Sequence, residues 1–260
     1  MTTTGQAHGE QWSGGARAWA KLVEPNTRGL YNAVHDRLGI VDGTRLLDVG
    51  CGPGGSALLA AGRGARVAGL DAAAGSIEVA RERIPEGDFR VGDMESLPWR
   101  DGSFDAVTGF NSFQFAFDPV IALSQDHRVL ASGGRLGMAL WAPRKESQQP
   151  KIMAVVGALA PPQPPAGPGP FALSEPGVAE SVLEAAGLRV VDGGQVPVVV
   201  EDPDSDAACG AMMAGGIAAR AVQHSGEERV RQAMLEALAE FRVGTDGYRI
   251  ENRFRFLIAE

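Results

Sequence analysis

The chain has 260 residues, 44% of them apolar, with a formal net charge of −8 and a pI near 5.1. The acidic balance and the scattered arginines oppose a basic nucleic-acid surface, and no run of about 18 apolar residues is available to span a bilayer. Cys51 and Cys209 form neither a disulfide framework nor a metal-ligand spacing. The composition therefore predicts one cytoplasmic catalytic domain with no metal, nucleic-acid or membrane partner, and the sequence leaves monomer or homodimer open.

The first ten residues, MTTTGQAHGE, read as a loose tail carrying His8. Residues 13–39 follow as a helical stretch broken by Pro25, and residues 1–41 make an N-terminal helical lid. Five strands are predicted near 45–50, 65–71, 88–93, 104–110 and 134–141, with helical patterns between most of them. That alternation calls for an α/β fold: a Rossmann-like, mostly parallel sheet with helices on both faces. Residues 42–145 form its cofactor-binding core. Residues 146–260 complete it, with a proline-rich loop at Ala160–Pro170 and a two-helix cap at about 203–243. LRVVDGGQVPVVVE and YRIENRFRFLIAE supply strands six and seven on either side of the cap.

The most informative stretch is LLDVGCGPGG, Leu46 to Gly55, a strand breaking into a glycine turn and then a helix. Gly50, Gly52 and Gly54 leave backbone N–H groups and a helix N-terminus bare for a nucleoside-bearing ligand. Gly50, Gly52 and Gly55 also satisfy G-x-G-x-x-G, so a nicotinamide oxidoreductase is one alternative. Asp48 favours S-adenosylmethionine (SAM), because a carboxylate on a buried strand needs a partner and the methionyl ammonium is one. The second strand ends in Asp71, placed to accept ribose hydroxyls. The third ends in Asp93 and Met94, an acceptor for the adenine amine and an apolar face for its ring.

LLDVGCGPGG, VAGLDAAAGSIEVARER, FRVGDMESLPWRDGSFDAVTGFNSFQF and HRVLASGGRLGMALW together resemble the class I SAM-dependent methyltransferases, in their small-molecule, ubiquinone/menaquinone-biosynthesis-like branch. The resemblance covers roughly residues 42–142. It implies a seven-stranded sheet with an antiparallel last strand and a SAM site that includes Asp48, Gly50, Cys51, Gly52, Asp71, Ala72, Gly92, Asp93, Met94, Asn111 and Trp19, with S-adenosylhomocysteine as product. The family pattern E-x-x-R-V-L-K-P-G-G departs here at Gln125, Ala131 and Ser132.

Transfer from a sulfonium asks mainly for alignment and dryness, so a general base is optional. Catalytic candidates are Gln114, just past the fourth strand, with His35 on the lid and His224 on the cap; His127 reads as structural. Trp12, Trp19, Tyr31 and Trp141 are aromatic candidates for the pocket, with packing in the core as the competing role. Met212, Met213 and the phenylalanines of NSFQFAF suggest a hydrophobic or aromatic acceptor, methylated on O, N or C, plausibly in natural-product biosynthesis. A protein that binds SAM without methylating is the other alternative.

Overall fold

The computed structural model describes residues 9, 11–161 and 169–260; His8 and Pro162–Pro168 of the proline-rich segment lie outside them. Strands β1 (Arg45–Val49), β2 (Arg66–Asp71), β3 (Asp88–Val91), β4 (Phe104–Phe110), β5 (Leu130–Trp141), β6 (Val190–Asp202) and β8 (Gly247–Ala259) form one sheet in the order β3-β2-β1-β4-β5-β8-β6. The first five are parallel, and β8 runs antiparallel between β5 and β6. The seven expected strands are present. A two-residue β7 (Arg242–Val243), too short to show a period, pairs with the start of β8.

Strand β5 begins at Leu130, earlier than expected. Its pairing with β4 jumps from Phe104↔Leu130 to Ala106↔Arg135, so the turn-like ASGG is a bulge inside the strand.

Strand periodicity splits the core between the two faces. Leu46 joins a layer with Leu30, Val34 and Leu38 of helix α2 (Glu24–Leu38), with Ala57 of α3 (Gly55–Ala61) and with Ile77 and Ala80 of α4 (Ala74–Arg83). The next residue, Leu47, joins the opposite layer with Leu123 of α5 (Pro119–Val129) and Leu183 of α7 (Val178–Ala185). The preceding lid helix, α1 (Ala16–Leu22), is separated from α2 by Val23 alone, and Pro25 lies in the first turn of α2.

The cap contains three helices, α8 (Ser205–Met213), α9 (Gly216–Ser225) and α10 (Glu227–Leu238), where two were expected. The break falls at Ala214–Gly215, inside a small-residue run that reads as one helix. There the Gly15 backbone packs against Ala214, and a Cβ at Gly15 would lie 2.4 Å from its carbonyl oxygen. The cap has its own core: Ala208, Cys209, Ala221, Val230 and Met234 pack with Ile152 of α6 (Gln149–Gly157) and with Ile250 of β8.

Candidate active site

The glycine turn is pinned to the end of β2 by two hydrogen bonds, from the N–H groups of Gly50 and Cys51 to the Leu70 carbonyl (2.7 and 3.0 Å). Gly50 has φ +70°, and a Cβ there would lie 2.3 Å from Ser112 Cβ. Only glycine lets the loops after β1 and β4 meet this closely. Asp71 organises the neighbouring loops: its Oδ2 accepts the Gly52 N–H and its Oδ1 the Ala73 N–H, both at 2.8 Å. A carboxylate offers about four lone-pair directions, so two remain open to a ligand's donors. Burial raises its pKa against the opposing pull of these amides.

Asp48 is 2% exposed. Thr108 Oγ1 donates to its Oδ1 at 2.8 Å, and the Ser56 hydroxyl also favours its charged form. Burial, reinforced by the negative charges of Glu24 and Asp71, pushes its pKa up to about 7, and the two hydroxyls only partly offset this. Burial raises the Cys51 thiol and the Tyr31 phenol as well. Asp93 accepts the Glu95 N–H at 3.0 Å, Gly92 donates to the Asp71 carbonyl, and Met94 leans on the core.

Glu24, which carries no signal in the sequence, joins the glycine turn in the structure. Its buried carboxylate accepts the Gly55 N–H at 2.9 Å, at the first turn of α3, and pairs with Arg83 at 2.6 Å. Arg83 in turn donates to the Pro53 carbonyl. The lid is thus fastened to the glycine turn. Further along it, Gly75 donates to Ser13 Oγ at 3.4 Å, and a Cβ at Gly9 would lie 2.3 Å from the Ala72 carbonyl oxygen. Trp12 stacks edge-on with Trp19 (5.1 Å between centroids) and Phe115 (6.4 Å), and lies against Gly216 of the cap. Lid, post-β4 loop and cap therefore meet around one aromatic cluster.

The loop after β4 concentrates unsatisfied polarity. Asn111 has φ +53°, rare for a residue with a side chain. Asn111 Oδ1, Ser112 Oγ and both amide atoms of Gln114 are buried with no partner among the described residues, and Gln114 is 1% exposed. The phenylalanines diverge: Phe113 is core, Phe115 faces Trp12, and Phe117 is 69% exposed. Trp141 packs on Phe254 and Phe171, Tyr31 on Phe110, and Met212 and Met213 on the cap core. His127 Nδ1 meets the Ala186 carbonyl, a structural contact. His224 is exposed at the end of α9. His35 is fully buried, with Nε2 3.1 Å from Ser56 Oγ; burial and the nearby Arg63 lower its pKa to about 4, so its ring is neutral.

Three carboxyl groups, from Glu24, Asp48 and Asp71, surround the glycine turn, with the Arg83 guanidinium paired to the first. Such a site invites a cation and fits the ammonium, sulfonium and ribose of SAM. A dinucleotide would bring its pyrophosphate to the N-terminus of α3, where the Glu24 carboxylate already holds the Gly55 amide. The two anions would repel there.

The family profile for a methyltransferase domain matches residues 47–138, the stretch that contains this turn, Asp71, Asp93 and the post-β4 loop. This part of the core is similar to SAM-dependent methyltransferases. A demethylmenaquinone methyltransferase from Renibacterium salmoninarum is 37% identical over 126 residues, 48% of this chain and 48% of that protein. The methyltransferase GfsG of Streptomyces halstedii is 37% identical over 125 residues, 45% of each chain. The chain thus spans about half the length of the curated relatives it matches. The crystal structure of the [4+2]-cyclase SpnF shares the fold, with a TM-score of 0.55 and 23% identity, covering 89% of this chain and 80% of that one.

The departure from the methyltransferase family pattern at Gln125 has a local explanation. Gln125 Oε1 accepts two hydrogen bonds from Arg128 (2.9 and 3.2 Å), the arginine that also ties the Leu97 and Trp99 carbonyls. An amide serves there where the family has a carboxylate.

Proposed function

We propose that the protein transfers a methyl group from SAM to a small organic acceptor with a hydrophobic or aromatic body. The observation that carries this reading is Glu24 on the Gly55 N–H: it fills the anion position of a dinucleotide and adds a third carboxyl to a site fitted to a cation. Asp48 would face the methionyl ammonium, Asp71 the ribose, and Asp93 with Met94 the adenine. Gly50, Cys51, Gly52, Ala72, Gly92, Asn111 and Trp19 would shape the remaining wall.

When bound, SAM supplies a methyl carbon already activated by the sulfonium. The chain's own work is to align the acceptor and exclude water. Trp12, Trp19 and Phe115 offer an aromatic wall under the cap, which supports a flat, apolar acceptor. Gln114 would orient the acceptor's polar atom, since both of its amide groups are buried without a partner. His35, its pKa lowered to about 4 by burial and its Nε2 engaged with Ser56, is a weak base, so it is a positioning group here rather than the proton acceptor. We extend the reading to natural-product tailoring in the cytoplasm by a monomer or homodimer.

Titration calorimetry with S-adenosylhomocysteine, run beside NADH, tests the cofactor. Micromolar binding of the former alone is expected, and binding of NADH alone would overturn the reading. Methyl transfer from labelled SAM across an aromatic acceptor panel then separates a methyltransferase from a protein that only binds SAM.

A further inference from the structure

The loops after β3 and β4 are joined by a carboxylate that neither the cofactor nor the acceptor reading uses. Glu95 Oε1 accepts the Phe117 N–H at 2.7 Å and the Asp118 N–H at 3.3 Å. Its own N–H donates to Asp93 Oδ1 at 3.0 Å, and the Asp93 carbonyl accepts the Ser96 N–H at the same distance. A continuous path of hydrogen bonds thus runs from Asp93, through Glu95, to residues 117 and 118.

The far end of this path is where the post-β4 loop becomes helix. Asp118 caps α5, accepting the Val120 and Ile121 N–H groups at 2.9 and 3.2 Å. The near end of the loop is fixed by the Asn111 N–H on the Ala139 carbonyl of β5, at 2.8 Å. Between the two anchors lie Asn111 Oδ1, Ser112 Oγ and the Gln114 amide, buried without a partner among the described residues, and Phe115 against Trp12.

Packing does not account for the outer anchor. Phe113 and Ala116 are buried in the layer that Met94 and Leu97 also join, whereas the Phe117 side chain is exposed. With no apolar burial at that position, the N–H groups on Glu95 set where the loop ends, and a charged acceptor strengthens both bonds. Glu95 itself is only half-buried, so water can replace it and the contact can open without disturbing the core.

We propose that Glu95 is a positioning residue that passes occupancy of the adenine site to the acceptor loop. The inference rests on the SAM reading above, with Asp93 receiving the adenine amine. A donor on Asp93 holds that carboxyl in place, Asp93 holds the Glu95 backbone, and Glu95 holds the loop that carries Gln114. The cofactor therefore binds first and leaves the acceptor loop ordered. By linkage, an ordered loop also tightens the adenosine end of the ligand. No covalent bond changes and no proton moves.

The test is amide hydrogen exchange of the full chain with 5′-methylthioadenosine, which has the adenine, ribose and thioether of the cofactor but no amino-acid end to touch the post-β4 loop directly. In the wild type this ligand should slow exchange at residues 92–97 and, about fivefold, at residues 111–118. Glu95→Ala should keep the first effect, lose the second and bind the ligand about fivefold more weakly in calorimetry. Glu95→Gln, whose amide oxygen still accepts the two N–H groups, should restore both. A purely structural contact would not give this ligand-dependent difference. Protection confined to residues 92–97 in the wild type would overturn the proposal, and that arm suffices if the alanine variant does not fold. Protection of 111–118 that persists in Glu95→Ala would overturn it too. So would binding of S-adenosylhomocysteine but not of methylthioadenosine, since the adenine end would then have nothing to pass on. Failure of the wild type to bind either ligand would instead remove the SAM reading.

Discussion

Glu24 accepts the backbone N–H of Gly55 at 2.9 Å, so a residue of the N-terminal lid closes the helix that follows the glycine turn. Removing the side chain strands Arg83 and leaves that amide without its acceptor. Glu24→Ala should cost about 2–4 kcal/mol in urea unfolding, and Glu24→Gln less than half of that, because the amide oxygen still receives Gly55. Arg17→Ala, which breaks an exposed pair with Glu82, should leave the unfolding midpoint unchanged.

Asp48 makes stability depend on pH. Its pKa is about 7 in the folded protein, above the ordinary value of 3.8, so between those limits the folded state holds a proton that the unfolded state has lost. Its contribution to stability is therefore full near pH 4, falls as pH rises toward about 7 and is level beyond. Asp48→Asn removes this slope: relative to wild type the variant should gain roughly 2–4 kcal/mol between acidic and neutral pH. Urea unfolding of both proteins across that range would reveal it, and parallel curves would refute it.

Gly50→Ala and Asp71→Ala damage the turn in different ways. The alanine Cβ would collide with Ser112 in a backbone conformation that disfavours side chains, at a cost of about 2–3 kcal/mol, and it should abolish S-adenosylhomocysteine binding. Asp71→Ala orphans the Gly52 and Ala73 amides, costing about 1–3 kcal/mol in urea unfolding and at least about tenfold in affinity.

At Gln114, stability and function should part company. Leucine has a similar volume and no polar atoms to leave unpaired, so Gln114→Leu should stabilise the free protein by about 1–2 kcal/mol while raising the acceptor KM. Loss of stability in a melting experiment would show that the amide has a partner within the fold.

The fold was legible because strand burial writes itself into short apolar runs. Leu46 and Leu47 face opposite layers, and the loops between strands carry their own turn residues. What sequence hid was pairing across distance. Glu24 is an ordinary acid beside a proline until the turn 31 residues later is folded against it. Thr108 looks like filler until its hydroxyl meets Asp48, and Ser56 until its own meets His35. His35 has the spacing of a lid residue that could reach the crevice, yet its helix turns it toward Ser56. ASGG reads as a turn because a bulge has the same residues as a loop.

The cap leaves and rejoins the sheet at adjacent points, since Asp202 at the end of β6 pairs with Tyr248 at the start of β8. The intervening 203–247 segment therefore hangs from a closed doorway, and its length and sequence can change at little cost in chain closure. On the proposed reading, cofactor chemistry and acceptor preference would be separable inheritances: a scaffold of this kind could exchange the roof, and with it the acceptor, while Asp48, Asp71 and the glycine turn stay where they are.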